Sequence, residues 1–293
     1  MTYHRRRLFG RLVIVHLILT WLLMMSLSVQ AADTAVPGKF ADLPGVKLWF
    51  IDTGGSGVPI MLLHANTGTS AVWEKQIASF SRAGYRVIAF DRRGWGKSTA
   101  ESTGPQPGSI AEDLDALADY LKLAKFHLVG VAGGGFAALD YAGWRPERLR
   151  SLVIAASTGQ LSDKEMVEFT ARIEIAALRK LPAVYREVGP SYRGSDPEGT
   201  KRWIDIDEHA QQPGAASQPL RTPNTFAKLE TIPNPTLVLA ADADLLAPPA
   251  LMRLWATHVK NHEWASVSEA GHAIAWEQPD AFNKTVLAFV NRH

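Results

Sequence analysis

Apolar residues fall along this chain in two alternating patterns. A short, wholly apolar run at 59–63 and mostly apolar runs at 86–90, 126–129, 151–156 and 235–239 each read as an interior strand. Between them, apolar positions repeat at helical spacing. Val72, Ile77 and Phe80 line the inner side of a helix expected over 70–82, and Ile110, Leu114, Leu117 and Leu121 line the next. Ser109 and Glu112 form an S-x-x-E capping box at that second helix's start. Further helices are expected around 249–258 and 279–290, and outer strands at 45–51 and 263–267, the first followed by a tight turn at 52–57. Strand and helix in alternation predict an α/β fold, a mostly parallel central sheet with helices on both faces.

The alternation stops between residues 159 and 232. This stretch is richer in charge and proline, with a helical patch at 164–181 and a loose segment near 211–223. It is expected to be a helical cap inserted over the sheet's C-terminal edge, dividing the core into 32–158 and 233–293.

The run 126–136 stands out within that pattern. Gly130, Gly133, Gly134 and Gly135 crowd the passage from strand to helix, with only Val131 and Ala132 between the first and the rest. Such a turn is laid out like the G-x-S-x-G nucleophile elbow, where a strained residue stands at the end of a strand. Gly130 and Gly134 fit, but the nucleophile position holds Ala132. The elbow lacks its hydroxyl.

The 293 residues suffice for one such domain with an insertion. Arg5, Arg6, Arg7 and Arg11 precede an apolar run from Leu12 to Leu27 that ends in Ala31-Ala32. That is the form of a secretory signal peptide over residues 1–31, ranked ahead of an uncleaved membrane anchor. It predicts a secreted or periplasmic protein with no further tie to the membrane. Residues 1–31 carry four of the basic residues and no acid, so the remainder has 27 basic and 29 acidic residues. That balance points away from nucleic acid and toward a small-molecule substrate. The chain has no cysteine, so its core must hold it together without disulfides.

Several further signatures occur in a telling order. His64-Ala65-Asn66 follows an early strand; Asp91-Arg92-Arg93-Gly94-Trp95-Gly96-Lys97-Ser98 reads as D-x-R-G-x-G-x-S; Asp242 and Asp244 follow a late strand; Gly271-His272 with Glu277 and Pro279 reads as G-H-x-x-x-x-E-x-P. Together with the elbow they resemble the α/β-hydrolase superfamily over nearly all of residues 40–293. The family's order of nucleophile, acid and histidine falls here on Ala132, Asp244 and His272, with Asp242 as the rival acid. The resemblance implies that His272 stands over the elbow with Asp244 on its other nitrogen. It also implies an oxyanion hole made by the backbone N–H groups of Gly133 and Asn66, while His64 braces its own loop. Trp95 and Trp276 flank these loops and are expected to line an aromatic-friendly pocket.

Losing the hydroxyl excludes an acyl-serine intermediate. It leaves a hydrolase working through a His–Asp general base on a small apolar carbonyl compound, such as an ester, a lactone or a diketone. The alternatives are a silent small-molecule-binding member of the fold and a cofactor-free lyase or oxygenase. No cofactor or metal is expected: Gly96-Lys97-Ser98 lacks the leading glycine of a P-loop, no acid ends the strand after the glycine run, and no histidines pair at ligand spacing.

Overall fold

The computed structural model describes residues 36–101 and 106–293; the signal peptide expected over 1–31 lies outside them. Nine strands form one sheet: β1 (Gly38–Leu43), β2 (Val46–Asp52), β3 (Pro59–Leu63), β4 (Arg86–Phe90), β5 (Thr99–Ala100), β6 (Phe126–Val131), β7 (Leu149–Ala155), β8 (Thr236–Ala241) and β9 (His262–Val267). Their order is β1-β2-β4-β3-β6-β7-β8-β9, with β5 paired to β2. Pairing is antiparallel around β2 and parallel from β4 through β9. The parallel strands β3, β4, β6, β7, β8 and β9 therefore deliver their C-terminal loops to one edge. Every signature but the D-x-R-G loop's far end emerges there.

Two apolar layers sandwich the sheet. Met61, Leu63 and Leu128 face one way, against α2 (Ile110–Tyr120), α3 (Gly133–Trp144) and α9 (Pro249–Ala256). Ile60, Leu62, Val129 and Val131 face the other, against α1 (Glu74–Arg82) and α11 (Pro279–Val290). Alternate residues of one strand thus feed opposite cores, which is why the runs are mostly apolar. Each buried Leu, Ile or Phe contributes about 1.5–3 kcal/mol.

Between β7 and β8 lie five short helices: α4 (Lys164–Ile173), α5 (Ala183–Glu187), α6 (Pro190–Ser195), α7 (Pro197–Glu208) and α8 (Phe226–Leu229). The helical patch expected over 164–181 stops at Ile173. Residues 171–177 are all exposed, so no packing prolongs the helix. The helix expected over 70–82 begins as a 3-10 turn, Ser70–Trp73, capped by the Thr69 side chain.

The D-x-R-G-x-G-x-S stretch braces the loop after β4. Asp91 accepts the backbone N–H groups of Ser70 and Lys97 at 2.7 and 2.9 Å, and the Ser98 hydroxyl donates to Asp91 O at 2.7 Å. Arg93 forms two hydrogen bonds to buried Asp113, at 3.1 and 2.6 Å. Gly96 takes a φ of +51°, and a Cβ there would lie 2.2 Å from the Asp91 carboxylate. These contacts give the motif a structural role.

Candidate active site

Ala132 joins β6 to α3 at φ 48°, ψ −118°, a left-handed conformation costly for any residue but glycine. Three hydrogen bonds hold it there: its N–H donates to Ala155 O at 3.0 Å, and its carbonyl accepts from Gly135 N–H at 3.0 Å and from the Ser157 hydroxyl at 2.8 Å. The glycines are spacers. A Cβ on Gly130 would sit 2.6 Å from Gly134 O, and one on Gly134 would sit 2.3 Å from Leu63 O. The helix begins at Gly133, directly after Ala132, and includes the glycines expected to lie in the turn.

Asp244 follows β8 and is buried. Its Oδ1 accepts the backbone N–H groups of Leu246 and Ala247 at 2.8 and 2.9 Å, which leaves Oδ2 for His272 Nδ1 at 2.7 Å. Asp242 is exposed, and among the described residues its carboxylate meets only the Ser268 hydroxyl, at 3.2 Å. Of the two candidate acids, the structure brings Asp244 to the imidazole. A proton on Nδ1, held by the carboxylate, leaves Nε2 as the basic nitrogen. Burial pulls the His272 pKa down, but the Asp244 charge and hydrogen bond, helped by Glu187 and Glu277, outweigh it and hold the group above its ordinary value.

The loop after β3 is pinned from several sides. His64 is fully buried, with Nδ1–H donating to Ala65 O at 2.7 Å and Nε2 accepting from Arg92 N–H at 3.0 Å. Burial and the Arg92 charge keep it neutral, its pKa well below the usual histidine range. Asn66 O accepts the Trp95 indole N–H at 2.7 Å, and Asn66 Oδ1 accepts from Arg92 Nη1 at 2.9 Å. A Cβ on Gly133 would lie 2.4 Å from Asn66 Oδ1, so glycine after the elbow is what lets this amide approach. Gly133 and Asn66, the two expected oxyanion donors, are neighbours.

The glycine-spaced elbow, the Asp–His pair and the braced loop all lie at one sheet edge. The profile described as the alpha/beta hydrolase family matches residues 60–285. The chain belongs to that family.

This alpha/beta hydrolase is 30% identical to RutD of Variovorax paradoxus (strain S110), which is named as a carbamate hydrolase, over 80% of this chain and 92% of that one. It is 25% identical to the 2-hydroxy-6-oxononadienedioate/2-hydroxy-6-oxononatrienedioate hydrolase of Burkholderia vietnamiensis, over 90% and 97%. Among solved structures, a thermophilic esterase from Thermogutta terrifontis superimposes with a TM-score of 0.74 at 24% identity, covering 87% of this chain and 98% of that one. Like its named relatives, this alpha/beta hydrolase is an enzyme.

Two cavities open beside its site loops. One, of about 30 Å³, is lined by His272, Glu187, Thr67, Trp203, Trp276 and Val131 among others. The second, of about 300 Å³, is lined by Arg92, Asn66, Trp95, Gly133 and others. Trp95 and Trp276, expected to line an aromatic-friendly pocket, each line a cavity, Trp95 the larger and Trp276 the smaller, where Trp276 packs with Trp203 and Tyr192.

Sequence patterns did not point to Glu187 or Arg92. Glu187 ends α5, where no motif is legible. Its carboxylate accepts the Thr67 hydroxyl at 2.6 Å and its carbonyl accepts Ala273 N–H at 3.0 Å, so it ties the 159–232 segment to both site loops. Arg92 occupies the unspecified position of D-x-R-G, which carries no signal of its own. Glu277 was visible in the G-H ending. Its Oε2 accepts the N–H groups of Gly189 and Gly271, both at 2.9 Å, and burial raises its pKa to about 7 against the effect of those donors.

Proposed function

We propose that this alpha/beta hydrolase cleaves a small carbonyl compound, an ester, a lactone or the C–C bond of a diketone, without a covalent intermediate. His272 Nε2 takes a proton from water, and the resulting hydroxide adds to the substrate carbonyl. The backbone N–H groups of Gly133 and Asn66 stabilise the oxyanion, and the imidazolium returns its proton to the leaving group. Asp244 fixes the imidazole tautomer and offsets the charge it acquires. The observation that carries this reading is the 2.7 Å contact of His272 Nδ1 with an Asp244 carboxylate itself anchored by two N–H groups. A positioned base of this kind contributes about 10²–10⁴-fold. The relatives' names, a carbamate hydrolase and a C–C hydrolase, are consistent with carbonyl chemistry. The 159–232 segment acts as the cap over this site. The arginine-led apolar N-terminus directs export to the periplasm, which N-terminal sequencing of the protein recovered from a periplasmic extract checks.

The test is the pH dependence of kcat/KM on a panel of p-nitrophenyl esters, lactones and β-diketones. The neutral imidazole is the active form, so the rate rises with pH through an inflection above 6.5. In Asp244→Asn that inflection moves down, because burial is then less opposed. Ala132→Ser gains p-nitrophenyl ester hydrolysis with an acyl-enzyme burst if the site is otherwise intact. Ala132 itself favours the second reading, a protein that binds such compounds and turns none over. That reading predicts ligand-dependent thermal stabilisation with no product from any compound in the panel.

A further inference from the structure

Arg92 is 3% exposed, yet among the described residues no carboxylate pairs with it. Its neighbour Arg93 shows the usual arrangement, bound through two nitrogens to Asp113. Arg92 instead donates to two neutral oxygens, Asn66 Oδ1 at 2.9 Å and Ala65 O at a long 3.4 Å, while its guanidinium lies 4.4 Å from the centre of the Trp95 ring. Its Nε is buried and has no hydrogen-bond partner among the described residues. A guanidinium offers five N–H donors in a planar fork that matches a carboxylate. A buried charge without a counter-charge is costly, and a bound anion relieves that cost.

The surroundings have the same bias. Arg92 lines the cavity of about 300 Å³ together with Asn66, Trp95, Gly133, Phe136 and Gln160, and none of its described lining residues is acidic. Gly133 opens the twelve-residue helix α3, whose N-terminus adds positive potential on the same wall. Burial lowers the Arg92 pKa to about 9, which leaves it charged at neutral pH. The nearby His64 is held neutral, partly by that same charge.

We propose that Arg92 is a carboxylate subsite, so that the substrate carries an anionic carboxylate in this cavity and its reacting carbonyl at the elbow beside Gly133. The carboxylate part stands on Arg92 alone; the placing of the carbonyl rests on the reading of the elbow as the reaction centre. It replaces the small apolar carbonyl compound expected from the sequence with an acid, such as a half-ester or an oxo acid.

Binding is measured without turnover, by calorimetry and thermal shift, using butyrate against its uncharged isostere butyramide. Butyrate binds at least tenfold more tightly to the parent, and Arg92→Met abolishes that preference. Arg92→Lys, which keeps the charge but loses the fork, retains a reduced preference and serves if the methionine variant does not fold. His272→Ala keeps the full preference, which separates Arg92 from an imidazolium as the anion's partner. Equal binding of butyrate and butyramide, loss of the preference in His272→Ala, or its survival in Arg92→Met would each overturn the subsite. A second arm compares hydrolysis of monomethyl and dimethyl succinate. Butyrate selectivity without hydrolysis of either ester supports the subsite and removes the hydrolytic reading. Hydrolysis that favours the diester does the reverse.

Discussion

Ala132 holds a backbone conformation that its methyl side chain does not explain. Strain of this kind costs on the order of 1–3 kcal/mol, and here it persists because three hydrogen bonds and two close glycine contacts fix the turn. Glycine relieves that strain at an unfolded-state cost of roughly 0.5–1 kcal/mol. Ala132→Gly is therefore expected to stabilise the protein by about 1 kcal/mol, read from the midpoint and slope of a urea unfolding curve; a loss of stability would show that the turn is not strained. At this scale, what the chain declares depends on whether a position recurs in a pattern. Asp244 and His272 were legible because each follows a strand in the family order, and the choice between Asp244 and Asp242 needed only the direction of one carboxylate. Arg92 was invisible for the opposite reason. Nothing in its neighbours' spacing shows that its charge is buried and unanswered.

The elbow helix carries its constraint as an element. Gly133, Gly134 and Gly135 form the first turn of α3, although glycine weakens a helix by about 0.8–1 kcal/mol per residue relative to alanine. Propensity loses to proximity here, because each hydrogen replaces a Cβ that would strike Asn66, the Leu63 backbone or Ser157. Gly134→Ala, despite improving propensity, is expected to destabilise by about 1–3 kcal/mol through that clash with backbone; an unchanged melting temperature would contradict it. Interior strands were readable from their apolar runs, since both faces are buried. The edge strand β1 was not: Lys39, Phe40 and Asp42 are exposed and only Ala41 is fully buried, so it shows no period to read. Between β7 and β8 only α4 was legible, as part of the patch at 164–181; the short helices after it bury few residues each and so leave little apolar period to read.

Across the whole molecule, residues 36–293 form one compact unit in which distant segments meet through buried polar groups. Glu277 is the clearest case, joining α10 (Ile274–Glu277) to the N–H groups of Gly189 and Gly271. Its folded pKa of about 7 lies above the ordinary 4.5. A carboxyl raised in this way contributes stability that is fully present below the unfolded value and is lost as pH rises through the folded one. Glu277→Gln cannot ionise, and its amide oxygen can still accept both N–H groups. The variant's melting temperature is therefore expected to gain on the parent's between about pH 4.5 and pH 7, and a constant difference across that range would refute the assignment.

On the proposed mechanism, the imidazole of His272 does the chemistry beside an elbow without a hydroxyl. The most direct measurement is kcat/KM for the parent and for His272→Ala, side by side, on the ester, lactone or diketone that the parent turns over fastest. A fall of about 10²–10⁴-fold in the variant is the predicted result. Equal rates in the two proteins, or no turnover by the parent on any member of the panel, would contradict it.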